Sequence, residues 1–160
     1  MPTAASQKNS LYGLAQTILL CVFVAAVFLA PRRPLLLPGG TPRGVGSFLC
    51  LSGLALLVAG FVRLGRTIQV SPTPKENATL VTGGIYRWFR HPIYTAIVAM
   101  VAGIFLRQST IAVAIATVIV IAYLAIKVRF EEQLLLARYP DYEEYRRHSW
   151  GLVPWPHWFS

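Results

Sequence analysis

The chain has 160 residues, of which 55% are hydrophobic and only 13% are charged, and its mean hydropathy is +0.54. Soluble domains carry about 25% charged residues, so this composition excludes an ordinary soluble domain. At this length we expect a single domain covering residues 1–160. The net charge of +9 does not indicate a nucleic-acid partner here. In a membrane protein, basic loops set the topology and meet anionic lipid, so the bilayer is the expected partner.

Four uncharged apolar blocks follow one another at residues 11–30, 44–62, 92–106 and 109–126. A spanning helix needs about 20 apolar residues, and three of the blocks are long enough. The third block would rise only about 22 Å, so it must start earlier or tilt. We therefore predict an all-α membrane protein with about four transmembrane helices and an interfacial, partly helical C-terminal tail. The expected spans are about 11–30, 44–62, 89–106 and 109–128.

The first apolar block could be mistaken for a signal peptide, and the two cysteines for metal ligands. The first block is too long for the apolar core of a signal peptide, and it ends without a small-residue cleavage site. Cys21 and Cys50 lie inside apolar blocks without metal-ligand spacing, so we expect them to act as small hydrophobes and predict no metal site.

Lysine and arginine are unevenly divided between the two sides of the four-helix arrangement. Eleven lie in the N-terminus, the second loop and the tail, whereas four lie on the other side. The positive-inside rule then places both termini in the cytoplasm. The polar segments 63–91 and 127–160 would share that face and could meet.

Prolines, glycines and the short gap between the last two blocks predict how the helices connect and pack. Residues 31–42 are rich in proline and glycine, which predicts a turn-rich connector. Gly46, Gly53 and Gly60 recur every seven residues, which predicts close helix packing, with a substrate groove as the alternative. Only Arg107-Gln108 separates the last two blocks, which predicts a tight antiparallel hairpin.

Beyond the fourth block, residues 129–138 consist mostly of good helix formers, so we expect the helix to continue. The tail from Tyr139 is too polar and aromatic to span the membrane. We expect it at the interface, with Trp150, Trp155 and Trp158 at headgroup depth.

The first patch able to carry chemistry is the run Arg90-His91-Pro92-Ile93-Tyr94. Pro92 suits the first position of a helix because its φ is fixed and it has no amide proton to lose. Arg90 and His91 would then stand at the positive end of that helix, which favours a carboxylate or phosphate. The alternative is that both side chains only anchor the helix at the lipid headgroups.

The second patch is Glu131-Glu132, just beyond the fourth block. Adjacent residues on a helix point about 100° apart, so we do not expect a catalytic dyad. One acid is expected to face the protein and the other to pair with a basic neighbour such as Arg129. Acids at a helix C-terminus oppose the macrodipole, which favours a purpose such as binding an ammonium or sulfonium group. The alternative is a solvated helix end.

Taken together, the two patches resemble the isoprenylcysteine carboxyl methyltransferases and their relatives, the phospholipid methyltransferases. The likeness covers about residues 79–156. The matching positions are Gly84, Tyr86, Arg90-His91-Pro92, Tyr94, Glu131-Glu132, Leu135, Tyr142, Tyr145 and Pro154. The chain departs from the family pattern at Ala96, where glycine is common, and at Tyr139-Pro140, where Phe-Gly is common.

The resemblance implies an S-adenosylmethionine-dependent methyltransferase whose acceptor is lipophilic: a prenylcysteine-like carboxylate, a lipid amine or a small thiol. It implies a cofactor-binding half at about 79–156. Backbone and ring atoms of Val81, Gly84 and Tyr86 would line the pocket. The methionine carboxylate would be held by Arg90, His91 and Tyr94, and the amino group by Glu132 with Glu131. No general base is assigned, and His91 is only a candidate helper in proton transfer.

Other classes of protein stay open at this point. A non-catalytic lipid-binding or assembly protein would tolerate substitution of Arg90, His91 and Glu132. A NADPH-dependent enzyme like the sterol reductases would share the C-terminal half, although those proteins are much longer. Small four-helix glutathione-using enzymes match in size but not in motif.

Overall fold

The computed structural model describes residues 4–29, 40–65 and 80–153. Within these ranges the elements are helices: α1 (Ala4–Leu29), α2 (Gly40–Gly65), α3 (Pro92–Gln108), α4 (Ile111–Arg138) and α5 (Tyr142–Arg147), with a 3₁₀ turn at Gly84–Arg87. By length and composition α1, α2 and α4 could cross a membrane, and α3 is a shorter apolar helix. The prediction of an all-α membrane protein is confirmed.

The helix ends differ from the expected spans for local reasons. Helix α2 begins at Gly40 and so includes the end of the expected connector, because proline is tolerated in a first helical turn. Helix α3 begins at Pro92 rather than at residue 89, since a residue before proline disfavours helical dihedrals. His91 accordingly has φ −125° and ψ 60°. The expected continuation of the fourth helix is confirmed, because α4 runs to Arg138.

Helices α2 and α3 pack with their backbones in close contact, as the glycine spacing predicts. A Cβ atom on Gly46 would lie 2.6 Å from the carbonyl oxygen of Gly103, and one on Gly53 would lie 2.9 Å from that of Ala96. Ala96 itself is completely buried. Small residues let helices approach this closely, so the glycines of α2 form a packing face.

We expect Gly103→Ala to destabilise the protein by about 1–3 kcal/mol, because overpacking forces a backbone shift. The added methyl group would lie 2.6 Å from the Gly46 carbonyl oxygen and 3.0 Å from the Cys50 backbone nitrogen. Gly13→Ala is the matched control, since a Cβ there would meet nothing within 4 Å. Thermal unfolding in detergent measures both variants. Equal melting temperatures would contradict the close α2–α3 contact.

A tight hairpin joins α3 to α4, as predicted. Ser109 adopts a left-handed conformation with φ 49°, and the Thr110 side chain accepts a hydrogen bond from the Val113 backbone nitrogen. Helix α1 packs along α4, so α1, α3 and α4 share one hydrophobic core. Its buried members are Phe23, Val101, Val113, Ala116, Val120 and Leu124.

Candidate functional site

The segment after α4 folds back onto the start of α3. The backbone nitrogen of Arg90 donates to the Trp150 carbonyl at 2.8 Å, and the Trp150 nitrogen donates to the Trp88 carbonyl at 2.8 Å. The Thr95 hydroxyl donates to the Leu152 carbonyl at 2.9 Å. The two polar segments expected to share a face are therefore in direct contact. Trp150 is held in this contact, while Trp155 and Trp158 lie outside the described residues.

Arg90 acts as a buried clamp between the two segments. Its side chain is only 9% exposed, and its Nε donates to Glu132 Oε1 at 2.8 Å. Its Nη1 donates to the Arg146 carbonyl at 2.7 Å and also to the Ser149 carbonyl. Two of the three guanidinium nitrogens are thus engaged by protein acceptors. Such burial does not fit a headgroup anchor, and it ties α3, α4 and the tail together.

His91 lies between the two acids at the start of α3. Its side chain is 7% exposed, and its ring stacks on Tyr94 with centroids 5.6 Å apart. Nδ1 lies 3.8 Å from Glu131 Oε2, and Nε2 lies 3.5 Å from Glu132 Oε1. Nε2 is buried without a hydrogen-bond partner in the described part of the chain. Adjacent acids therefore approach one imidazole ring, although their side chains leave the helix in different directions.

Glu131 belongs to a polar cluster that reaches α1. Tyr94 donates its hydroxyl to Glu131 Oε1 at 2.8 Å, and Lys127 Nζ lies 3.8 Å from the same oxygen. Lys127 Nζ also lies 5.0 Å from the Tyr94 ring centroid and donates to Gln16 Oε1 at 2.6 Å. The basic partner of Glu131 is thus Lys127 on the same helix, one turn earlier, and not Arg129.

Sequence reasoning missed Lys127 and Gln16 as members of this cluster. The available signal was a lysine four residues before Glu131, because side chains at that spacing are neighbours on a helix. The contact with Gln16 had no sequence signal, since it joins residues 111 positions apart.

Three tyrosines of the loop and tail pack beside the clamp. Burial raises the pKa of Tyr86, and the Tyr86 carbonyl accepts a hydrogen bond from the Tyr145 hydroxyl at 2.6 Å. Burial also raises the pKa of Tyr145 to about 12, so its hydroxyl stays a donor. Tyr142 is only 1% exposed, and its hydroxyl has no hydrogen-bond partner among the residues described.

The glycine loop lies at the edge of this arrangement. Gly84 has φ +66°, a conformation that favours glycine, and Arg63 Nε donates to the Gly83 carbonyl at 3.3 Å. Val81 precedes them and is half-buried.

The structure brings five of the eight predicted residues into mutual contact: Arg90, His91, Tyr94, Glu131 and Glu132. Tyr86 joins through Tyr145, whereas Gly84 lies against Arg63.

An apolar groove of about 390 Å³ runs between α2 and α3, next to the clamp. Ser52 and Thr95 are the polar side chains among its lining residues. Phe89 borders the groove and directly precedes Arg90, and Thr95 donates to the His91 carbonyl at 3.1 Å. The groove therefore adjoins the polar cluster. Its lining residues are Leu49, Ser52, Gly53, Leu56, Phe89, Thr95, Val98, Ala99, Ala102, Leu152 and Val153.

Side chains suited to a metal ion do not form a cluster of three in the described ranges. The site brings together two carboxylates, two buried cations, an imidazole and several hydroxyl groups. Such a set can hold a ligand that carries both an ammonium group and a carboxylate.

Comparison with known proteins adds three findings. The family model described as phospholipid methyltransferase matches residues 42–142. Methanethiol S-methyltransferase of Mycobacterium tuberculosis (strain ATCC 25618 / H37Rv) is 39% identical over 75 residues, which are 46% of this chain and 30% of that protein. Cobalt-zinc-cadmium resistance protein CzcN of Cupriavidus metallidurans is 30% identical over 108 residues, 66% of this chain and 49% of that protein.

The chain thus spans less than half the length of either of these curated relatives. No solved structure matches it.

Proposed function

Because the chain belongs to the phospholipid methyltransferase family, we propose that it is an integral membrane methyltransferase that uses S-adenosylmethionine. The observation that carries the proposal is the buried cluster in which Arg90 and His91 at the start of α3 meet Glu131 and Glu132 on α4. The cluster lies within the segment matched by the family model.

The residues present fit the amino-acid end of this cofactor. Its ammonium group suits the Glu131 and Glu132 carboxylates, and its carboxylate suits the positive end of α3. His91 Nε2 is a buried polar atom that finds no hydrogen-bond partner in residues 4–29, 40–65 and 80–153, which supports a ligand contact there. Val81, Gly84 and Tyr86 would line the side of the adenosyl group.

Methyl transfer is an in-line displacement: the acceptor's lone pair forms a bond to the methyl carbon, and the carbon–sulfur bond breaks with its electrons on sulfur. This chemistry needs alignment more than acid–base help, so the chain's residues would mainly orient the partners and exclude water. A thiol or amine acceptor must also lose a proton. His91 is the candidate to receive it, because it is the buried imidazole of the cluster.

The groove between α2 and α3 supports a lipophilic acceptor. It is lined almost entirely by apolar side chains and adjoins the cluster at Phe89 and Thr95. An acceptor could place its apolar part there and its reactive atom towards His91. One protein of similar sequence is named for a small thiol, methanethiol, so a small acceptor is the second candidate.

We further propose that the cluster faces the cytoplasm, with both termini on that side. The support is the uneven division of lysine and arginine, eleven against four, between the two sides. Accessibility of single cysteines placed at residues 87 and 143 in sealed vesicles tests this. Opposite accessibility of the two positions would exclude the orientation.

Calorimetric titration of the detergent-solubilised protein with S-adenosylhomocysteine, the demethylated product, tests the function. We expect binding in the micromolar range that is abolished in His91→Ala. Binding of NADPH in place of S-adenosylhomocysteine would favour the reductase alternative. Absence of binding to both would favour a non-catalytic membrane protein.

A further inference from the structure

Three tyrosine hydroxyls near the Arg90–Glu132 pair differ in their hydrogen bonding. Tyr94 donates to Glu131 Oε1 at 2.8 Å, and Tyr145 donates to the Tyr86 carbonyl at 2.6 Å. The Tyr142 hydroxyl has no partner among the described residues, although the side chain is only 1% exposed. Buried hydroxyl groups are nearly always hydrogen-bonded, so this exception needs an explanation.

The position of Tyr142 does not depend on its hydroxyl group. Its backbone nitrogen donates to the Tyr139 carbonyl at 3.1 Å at the start of α5. Its ring packs edge-on against Tyr145 at 5.8 Å, and Arg90 holds α5 through the Arg146 carbonyl at 2.7 Å. The hydroxyl is therefore placed by contacts in which it takes no part.

The surroundings of this hydroxyl are charged. Burial raises the pKa of Tyr142, the Glu132 carboxylate raises it further, and Arg90 and Arg146 lower it. The charges of Glu132, Arg90 and Arg146 act on this hydroxyl. Because the pKa is raised, the hydroxyl stays protonated at neutral pH. It can therefore donate a hydrogen bond.

Arg90 has few donors left for a ligand. Its Nε is engaged by Glu132, and its Nη1 by two backbone carbonyls. Among the described residues no acceptor engages Nη2, so a bound carboxylate near α3 could take a hydrogen bond from Nη2 and would draw further ones from other donors. Among the buried side-chain polar atoms of the described residues, the Tyr142 hydroxyl and His91 Nε2 have no hydrogen-bond partner.

We infer that the Tyr142 hydroxyl binds the amino-acid end of the cofactor by donating a hydrogen bond to its carboxylate, an assignment that rests on the proposed methyltransferase function. Tyr142 and His91 then contact the ligand, while Arg90 holds the scaffold. The ligand would then be the hydrogen-bond partner that the Tyr142 hydroxyl does not find among the described residues.

Tyr142→Phe tests the inference with three readouts: the melting temperature and the affinities for two ligands. Removing an unpartnered buried hydroxyl leaves the melting temperature of the ligand-free protein unchanged or raises it. Affinity for S-adenosylhomocysteine falls by about tenfold, the effect of losing one hydrogen bond to a charged group. Affinity for 5′-methylthioadenosine, which lacks the amino-acid end, stays as in the wild type.

Tyr145→Phe is the matched control, because its hydroxyl is spent on the Tyr86 carbonyl. It lowers the melting temperature and leaves the ratio of the two affinities as in the wild type. A Tyr142→Phe protein that is less stable, or that keeps the wild-type affinity ratio, would overturn the inference. A wild-type protein that does not bind S-adenosylhomocysteine would overturn the proposed function instead, and the inference with it.

Discussion

Arg90→Met is expected to release the segment after α4 from the start of α3 and to cost about 3–5 kcal/mol of stability. This is the usual cost of removing one partner of a buried ion pair, because the other charge stays buried. Glu132 would lose its partner at 2.8 Å, and the carbonyls of Arg146 and Ser149 would lose their donor. Limited proteolysis between residues 139 and 153 and thermal unfolding measure the effect.

Arg90→Lys separates charge from geometry. Lysine keeps the positive charge but cannot reproduce the planar fork that serves one carboxylate and two carbonyls, so an intermediate loss is expected. Arg87→Met is the control, since Arg87 is exposed and only flanks the Trp88 ring at 5.8 Å. Its effect is expected to stay within about 0.5 kcal/mol. If Arg87→Met and Arg90→Met had the same melting temperature, Arg90 would not be a clamp.

Substituting the two adjacent acids is expected to have different consequences. Glu131 is 28% exposed, and the polar side chain near its Oε2 in the described part of the chain is His91 at 3.8 Å, whereas Glu132 is 14% exposed and bound to Arg90. Glu131 is therefore the acid better able to receive an ammonium group. We expect Glu131→Gln to weaken S-adenosylhomocysteine binding about tenfold to a hundredfold, because a charge-assisted hydrogen bond is lost.

Glu131→Gln should change stability less than Glu132→Gln, because the glutamine carbonyl can still accept from Tyr94 and Lys127 keeps its hydrogen bond to Gln16. Glu132→Gln should lower both stability and affinity, since it weakens the clamp. Glu143→Gln, at an acid that is 51% exposed, should change neither. Calorimetry and thermal unfolding on the same samples compare the three variants. Full affinity in Glu131→Gln with loss in Glu132→Gln would reverse the two roles.

The motif residues predicted the location of the site because local rules determine it. Pro92 begins α3 and so places Arg90 and His91 at its positive end. Helix formers after residue 128 extend α4, so that Glu131 and Glu132 lie beside Arg90 and His91 at the start of α3. Because the hairpin between α3 and α4 is short, the start of α3 and the C-terminal part of α4 lie next to each other.

The roles within the site could not be predicted in the same way. The resemblance implies that Arg90 holds the cofactor carboxylate; in the structure its Nε and Nη1 donate to Glu132 and to carbonyls 56 and 59 residues further along the chain. Hydrogen bonds over such separations depend on how the tail docks, which no local pattern records. The same holds for Tyr142, whose burial results from the fold of α5 against α4.

By itself, the sequence determined the membrane character, the succession of apolar helices and the pairing of Arg90-His91 with Glu131-Glu132. These follow from composition, block length and helix propensity, which act over a few neighbouring residues. Only the tertiary structure decided that Lys127 reaches Gln16 on α1, and that Arg90 ties the start of α3 to α4 and to the tail. Those outcomes depend on which helix faces meet, because a buried polar group takes whichever partner the packing brings within reach.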